Sequence, residues 1–253
     1  MLFAVEFGKL FRRKFNYLCL IILALINFAF VYRLDTLATY YDMSVLNIMF
    51  AIVVKVNLVL VIFIMGLNYI YSYREDYITK VNVLLEIRKK KTTRDILAIL
   101  ANLIYFLVYY VIVIACFVGI IFLRKRNIFE ELKNIMLNVN TAGAFAAMSV
   151  LLLLLANLIF LLALSLFNNT NLAISFSLLY FIGGEVIANM IKSRFSVPAE
   201  RVDNSILTIF TKSFNLLNQN ITFSLGNFLP LVLNMIGLMI VIVIVRFMKK
   251  IIG

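Results

Sequence analysis

The stretch AGAFAAMSVLLLLLANLIFLLALSLF, residues Ala142–Phe167, decides the fold. It holds no charged side chain, and its few polar groups, Ser149, Asn157 and Ser165, are widely spaced. After the polar residues Asn168–Asn171 a second run, LAISFSLLYFIGGEVIANMI (Leu172–Ile191), carries one charge, Glu185. About 20 helical residues cross a hydrocarbon core, and both runs reach that length. Neither alternates lumen-facing and lipid-facing side chains as an outer-membrane strand does. Backbone N–H and C=O groups in lipid must be satisfied within the segment, so both runs are read as transmembrane helices.

Working outward, four more runs of the same character occur: Phe15–Tyr32, Val45–Tyr71, Ile96–Leu123 and Phe228–Phe247. The expected fold class is therefore all-α, a single polytopic membrane domain of six transmembrane helices. The whole chain supports this: of 253 residues, 64% are hydrophobic and only 14% charged, against about half and a quarter in soluble domains. A soluble fold of this length has too little interior for so much apolar side chain. Tyr17 and Tyr32 bracket the first run, and Tyr69, Tyr71, Tyr73 and Tyr77 crowd the end of the second. With no Trp in the chain, Tyr supplies the interfacial aromatic belt.

Lys and Arg set the orientation. Counted on one side are Lys9, Arg12, Arg13 and Lys14, the connection from Arg74 to Arg94, and Arg246, Lys249 and Lys250. They outnumber the other side's Arg33, Arg124, Lys125, Arg126, Lys133, Lys192, Arg194, Arg201 and Lys212. Both termini are expected in the cytoplasm, and the net charge of +12 is expected to meet anionic lipid at the inner face. No soluble basic domain is present to hold nucleic acid. The first run is preceded by an amphipathic segment and followed by Arg33 and Asp35, which does not fit a cleavable signal peptide.

The chemistry is narrowed by what is missing. There is no His, hence no imidazole base or metal ligand. Cys19 and Cys116 both lie in apolar runs and read as small buried hydrophobes. No GxxxxGK[ST] occurs, so any nucleotide must sit on another chain. The expectation is a transport subunit and not an enzyme, with no cofactor or metal of its own. An intramembrane enzyme would need a carboxylate dyad or a Ser–Lys pair, and Glu185 has no second acid within a span.

Four segments carry information. In residues 1–14 and just beyond, Phe3, Phe7, Leu10, Phe11 and Phe15 form one helical stripe with Lys9, Arg12 and Arg13 mostly off it. That predicts an elbow helix in the headgroup plane, most simply an anchor that sets topology. Residues 74–95 carry charges at both ends around Ile78, Val81, Leu84 and Leu85 at helical spacing. This pattern fits a short cytoplasmic helix that fills a groove on a soluble partner. Lys55 and Glu185 are charges within spans, where insertion costs about 2.5–3.5 kcal/mol. Counting roughly 1.5 Å per residue places them at similar depth, so they are expected to pair or to share a polar cavity. Asn57 and Asn189 would line the same path. Gly183-Gly184 would allow close packing, and Asn27, Asn102, Asn157 and Asn234 would hydrogen-bond between helices. Finally, residues 192–227 repeat Ile206, Phe210, Phe214, Leu217 and Ile221 but are too polar to span.

At residues 74–95 the chain resembles the permease subunits of ABC-2-type transporters. Asp76-Tyr77 match the family's acidic–aromatic start, Leu84-Leu85 its paired leucines, and Thr93-Arg94 the hydroxyl–Arg step before the third span. Lys80-Val81 stand where the family has Gly-Thr, and Leu100 and Asn102 where it often has Lys. The resemblance implies that a separate ATPase dimer, holding ATP and magnesium, docks on Glu75, Asp76, Tyr77, Leu84, Leu85, Arg88, Lys89 and Arg94. It also implies that residues 192–227 form short re-entrant helices closing the path from outside, and that two permease copies pair, here as a homodimer. The chain is similar to permeases of bacterial peptide-toxin exporters and lantibiotic self-protection systems, with an amphipathic peptide as the expected cargo and the cell membrane as its place. A substrate-capturing subunit of an importer, or an exporter of lipid-like molecules, is the alternative.

Overall fold

A computed structural model of the chain describes residues 2–33, 57–78, 91–123, 139–167, 169–195, 198–217 and 222–252. Among them the secondary structure is entirely helical. The helices are α1 (Leu2–Arg12), α2 (Lys14–Tyr32), α3 (Asn57–Ile78), α4 (Lys91–Leu123), α5 (Val139–Leu166), α6 (Thr170–Phe195), α7 (Ala199–Asp203), α8 (Ile209–Leu216) and α9 (Leu225–Ile252). Four of them, within α4, α5, α6 and α9, are long and apolar enough to cross a membrane, and α2 contains a shorter apolar segment, Lys14–Ala29. The chain is thus an all-helical protein of membrane type. Residues 45–56 of the expected second span lie outside the described residues.

The chain divides into two compact units. The first contains α1, α2, the beginning of α3 through Asn68, and α4. Asn16 builds the elbow between α1 and α2. Its amide donates to the carbonyl of Leu10 (2.7 Å) while its backbone N–H reaches Arg13 (3.0 Å), satisfying a helix-end carbonyl that has no partner within α1. Arg13, at the elbow itself, donates to the carbonyl of Asn68 on α3 (2.6 Å). Two intramembrane amides then bind the helices. Asn27 of α2 donates to Leu23 (2.8 Å) and reaches the Tyr109 hydroxyl of α4 (3.4 Å), and Asn102 of α4 donates to the Met65 carbonyl of α3 (3.0 Å). Interhelical amides of this kind contribute about 0.6–2 kcal/mol each in lipid.

The stripe on α1 turns toward protein. Phe7 and Phe11 set their rings edge-on to Tyr105 of α4, at centroid distances of 6.4 and 5.2 Å, and Leu10 is buried. The elbow helix is therefore docked on α4, which goes beyond a topology anchor.

The second unit holds the end of α3 from Tyr69, then α5 from Ala144 onward and α6 to α9. Leu152, Leu155, Ala156 and Asn157 of α5 are all fully buried. Phe160 of α5 packs on Phe181 of α6 (5.6 Å), and Ser165 accepts from Arg246 of α9 (3.1 Å). With α5 ending at Leu166 and α6 starting at Thr170, the two helices are closely joined, as expected. Asn169 caps α6, its side-chain oxygen accepting the N–H of Asn171 (2.8 Å), as favoured N-cap residues do. Beyond α6 the chain does not run as an open loop. α7 and α8 fold back, α7 against α6, and α8 against both α6 and α9.

Candidate functional site

Residues 74–95 were expected as a loop around a short helix, and the ends of that stretch differ. α3 stays helical to Ile78, so Arg74, Glu75, Asp76 and Tyr77 form its last turns, and α4 begins at Lys91, so Arg94 and Asp95 sit near its start. Both helices continue into the stretch because nothing in 74–78 or 91–95 breaks them: no Pro or Gly occurs there. Leu84, Leu85, Arg88 and Lys89 lie outside the described residues, as does the body of the expected coupling helix. Glu75 is exposed and Asp76 buried.

Arg94 is not a surface cation. It is among the largest fully buried side chains, and its guanidinium lies 3.6 Å from Glu6 of α1 and 3.1 Å from Asp95. Glu6 in turn binds Lys9 (2.8 Å). In the first turn of α4 a cation opposes the helix dipole, and the two carboxylates offset that. The elbow helix is thereby joined by an ion cluster to the first turn of α4. Sequence reading placed Arg94 among the docking residues and missed Glu6. The signal available was one acid, Glu6, in an otherwise basic and aromatic N-terminal segment.

A second site lies wholly within the second unit. Glu185, Asn189 and Lys192 fall at i, i+4 and i+7 on α6, giving an apolar helix one polar stripe. Thr208, Thr211, Lys212 and Asn215 repeat the pattern on and just before α8. The two stripes enclose an open polar cavity of about 520 Å³, with Asp203 at the end of α7 completing its wall. Gly184 makes this possible, because a Cβ there would stand 2.5 Å from the Leu207 carbonyl oxygen. The 204–208 link therefore lies directly on α6. Tyr180 donates to the Ile206 carbonyl, Thr208 to Val202 (2.5 Å), and Asn234 of α9 to Asn204 (2.8 Å). Phe210 adds an edge-to-face contact with Phe181 (4.8 Å). Gly184 thus serves packing, and within residues 192–227 the described residues form two short helices, α7 and α8.

The charges in the cavity are unequally matched. Lys192 pairs with Asp203 at 2.5 Å, whereas Lys212 donates to the neutral amide of Asn204 (2.6 Å). Among the described residues, neither a hydrogen bond nor an ion pair reaches Glu185. Glu185 and Asn189, expected together, do line one cavity. Their expected companion Lys55 lies outside the described residues, and of Asn57 only the backbone is described. Sequence reading missed the rest of the lining, from Lys192 on α6 to Asp203, Thr208, Thr211, Lys212, Asn215 and Leu216. The stripe at 185, 189 and 192 was the available signal for the first.

No group of three or more potential metal ligands occurs among the described residues. Comparison with protein families, characterised proteins and solved structures finds no match to this chain.

Proposed function

We propose that the chain is the membrane subunit of an ATP-driven exporter, an ABC-2-type permease of the bacterial cell membrane with six spans and both termini in the cytoplasm. A separate ATPase dimer grips residues 79–90, and nucleotide-driven closure moves the ends of α3 and α4 between which that stretch hangs. The observation that carries the reading is the buried Glu6–Arg94–Asp95 cluster. It fastens the amphipathic α1 to the first turn of α4, so a push delivered at the coupling stretch moves the elbow and the membrane helix as one body. Rigid transmission of this kind is what helix-coupled switching needs. An amphipathic peptide is the cargo this reading favours, and a homodimer the working unit.

The test is co-purification and reconstitution with a P-loop ATPase from the same cell. Arg88→Glu with Lys89→Glu should abolish both complex formation and stimulation of ATP hydrolysis while leaving the melting temperature unchanged. Arg94→Glu should instead unfold the N-terminal unit. Absence of any stimulating ATPase would remove the exporter reading. The polar cavity supports a second reading, a ligand-capturing subunit of an importer, which would bind its ligand with no ATPase present.

A further inference from the structure

We infer that the cavity between α6 and α8 is a binding site for the headgroup of a zwitterionic phospholipid, one joining an ammonium to a phosphodiester. The inference does not rest on the exporter reading.

Four formal charges line the cavity, and two cancel in the Lys192–Asp203 pair. The remaining two are complementary but not joined: Glu185 has no described partner, and Lys212 meets only a neutral amide. A cation and an anion left separate in one cavity are matched by a ligand that carries both charges on a short bridge. The ammonium would meet Glu185, with the Asn189 side-chain oxygen alongside. The phosphodiester would meet Lys212 and the Thr211 hydroxyl. Hydrogen bonds to charged groups are the stronger class, about 1.5–3 kcal/mol each, and a carboxylate held within a membrane span needs such a partner or water.

The surroundings identify the ligand as a lipid. Beside the polar stripe on α6 runs an apolar one, Ile182, Val186 and Met190, exposed by 70%, 59% and 55%. In a membrane-spanning helix that stripe faces acyl chains. A lipid can therefore lay its tails along Ile182, Val186 and Met190 while its headgroup turns into the cavity. A soluble zwitterion would gain nothing from the apolar stripe.

The full-length protein, purified in detergent with an equimolar mixture of phosphatidylethanolamine and phosphatidylglycerol, would be read by native mass spectrometry. The wild type should retain phosphatidylethanolamine in preference. Glu185→Gln should weaken that retention roughly tenfold, the loss of one charged contact, and leave phosphatidylglycerol retention unchanged. Lys212→Gln should weaken retention of both lipids, and it reads the phosphate half of the site should Glu185→Gln fail to fold. Equal retention of the two lipids by the wild type, or an undiminished preference in Glu185→Gln, would overturn the proposal. Release of the retained lipid by a basic amphipathic peptide would overturn it too, since that would make the cavity a site for a different ligand.

Discussion

Arg94 shows how far a single residue's role depends on burial. On the sequence it is the last of a basic run and looks like a docking cation; in the fold it is 2% exposed and held by Glu6 and Asp95. Removing one partner of a buried ion pair leaves an uncompensated charge, which costs about 3–5 kcal/mol. Glu6→Ala should lower stability by less than that, about 1–3 kcal/mol, because Asp95 still opposes Arg94, seen as a fall in melting temperature in detergent. Glu6→Ala combined with Arg94→Leu should cost less than the two single changes added together, because both remove the same Glu6–Arg94 contact. If the double variant is as unstable as the sum of the singles, the pair is not what holds α1 to α4. Asn16→Ala is a milder case. It leaves the Leu10 carbonyl at the end of α1 without its donor, and should cost about 1 kcal/mol in the same assay.

At the scale of the element, α6 and α8 are each made of two stripes, one apolar and one polar. The periodicity of Phe210 and Phe214 was legible as an apolar face, and Glu185 with Asn189 as a polar one. What the sequence could not convey is that these faces meet, because that depends on Gly184 admitting the Leu207 carbonyl. Adjacent glycines look equivalent in sequence and are not. At Gly183 an added Cβ meets the flexible end of Leu179 at 3.2 Å, whereas at Gly184 it meets backbone at 2.5 Å. Gly184→Ala should destabilise by about 1–3 kcal/mol and reduce retention of any ligand in the cavity. Gly183→Ala should do neither to a comparable degree. Equal effects on melting and ligand retention would show that the 204–208 link is not seated on α6 as described.

At the scale of the whole molecule, composition and apolar run length were enough to read the helical membrane class. Helices lie at each of the six expected runs, though only four meet the length and hydropathy of a span among the described residues. Helix ends were read less well. Sequence patterns mark where hydrophobicity stops, and α3, α4, α6 and α9 continue past that point because their flanking residues still favour helix. The charge cluster joining α1 to α4 was also invisible, since Glu6 and Arg94 are far apart in the chain and nothing in the sequence pairs them. Broad apolar exposure on α2 and α9, such as Leu25 at 63%, Phe28 at 64% and Val243 at 66%, predicts insolubility outside lipid. The protein should partition into the detergent phase and resist extraction by high salt or alkaline carbonate.

The link between Leu166 and Thr170 carries a further consequence, for biogenesis. With Asn169 already capping the next helix, almost no slack separates the most apolar helix from the one bearing Glu185. Segments this closely joined cannot enter the bilayer far apart in time, so α5 and α6 should leave the translocon as a preformed hairpin. The strongly apolar partner would then carry the acidic one across the insertion barrier that it would face alone.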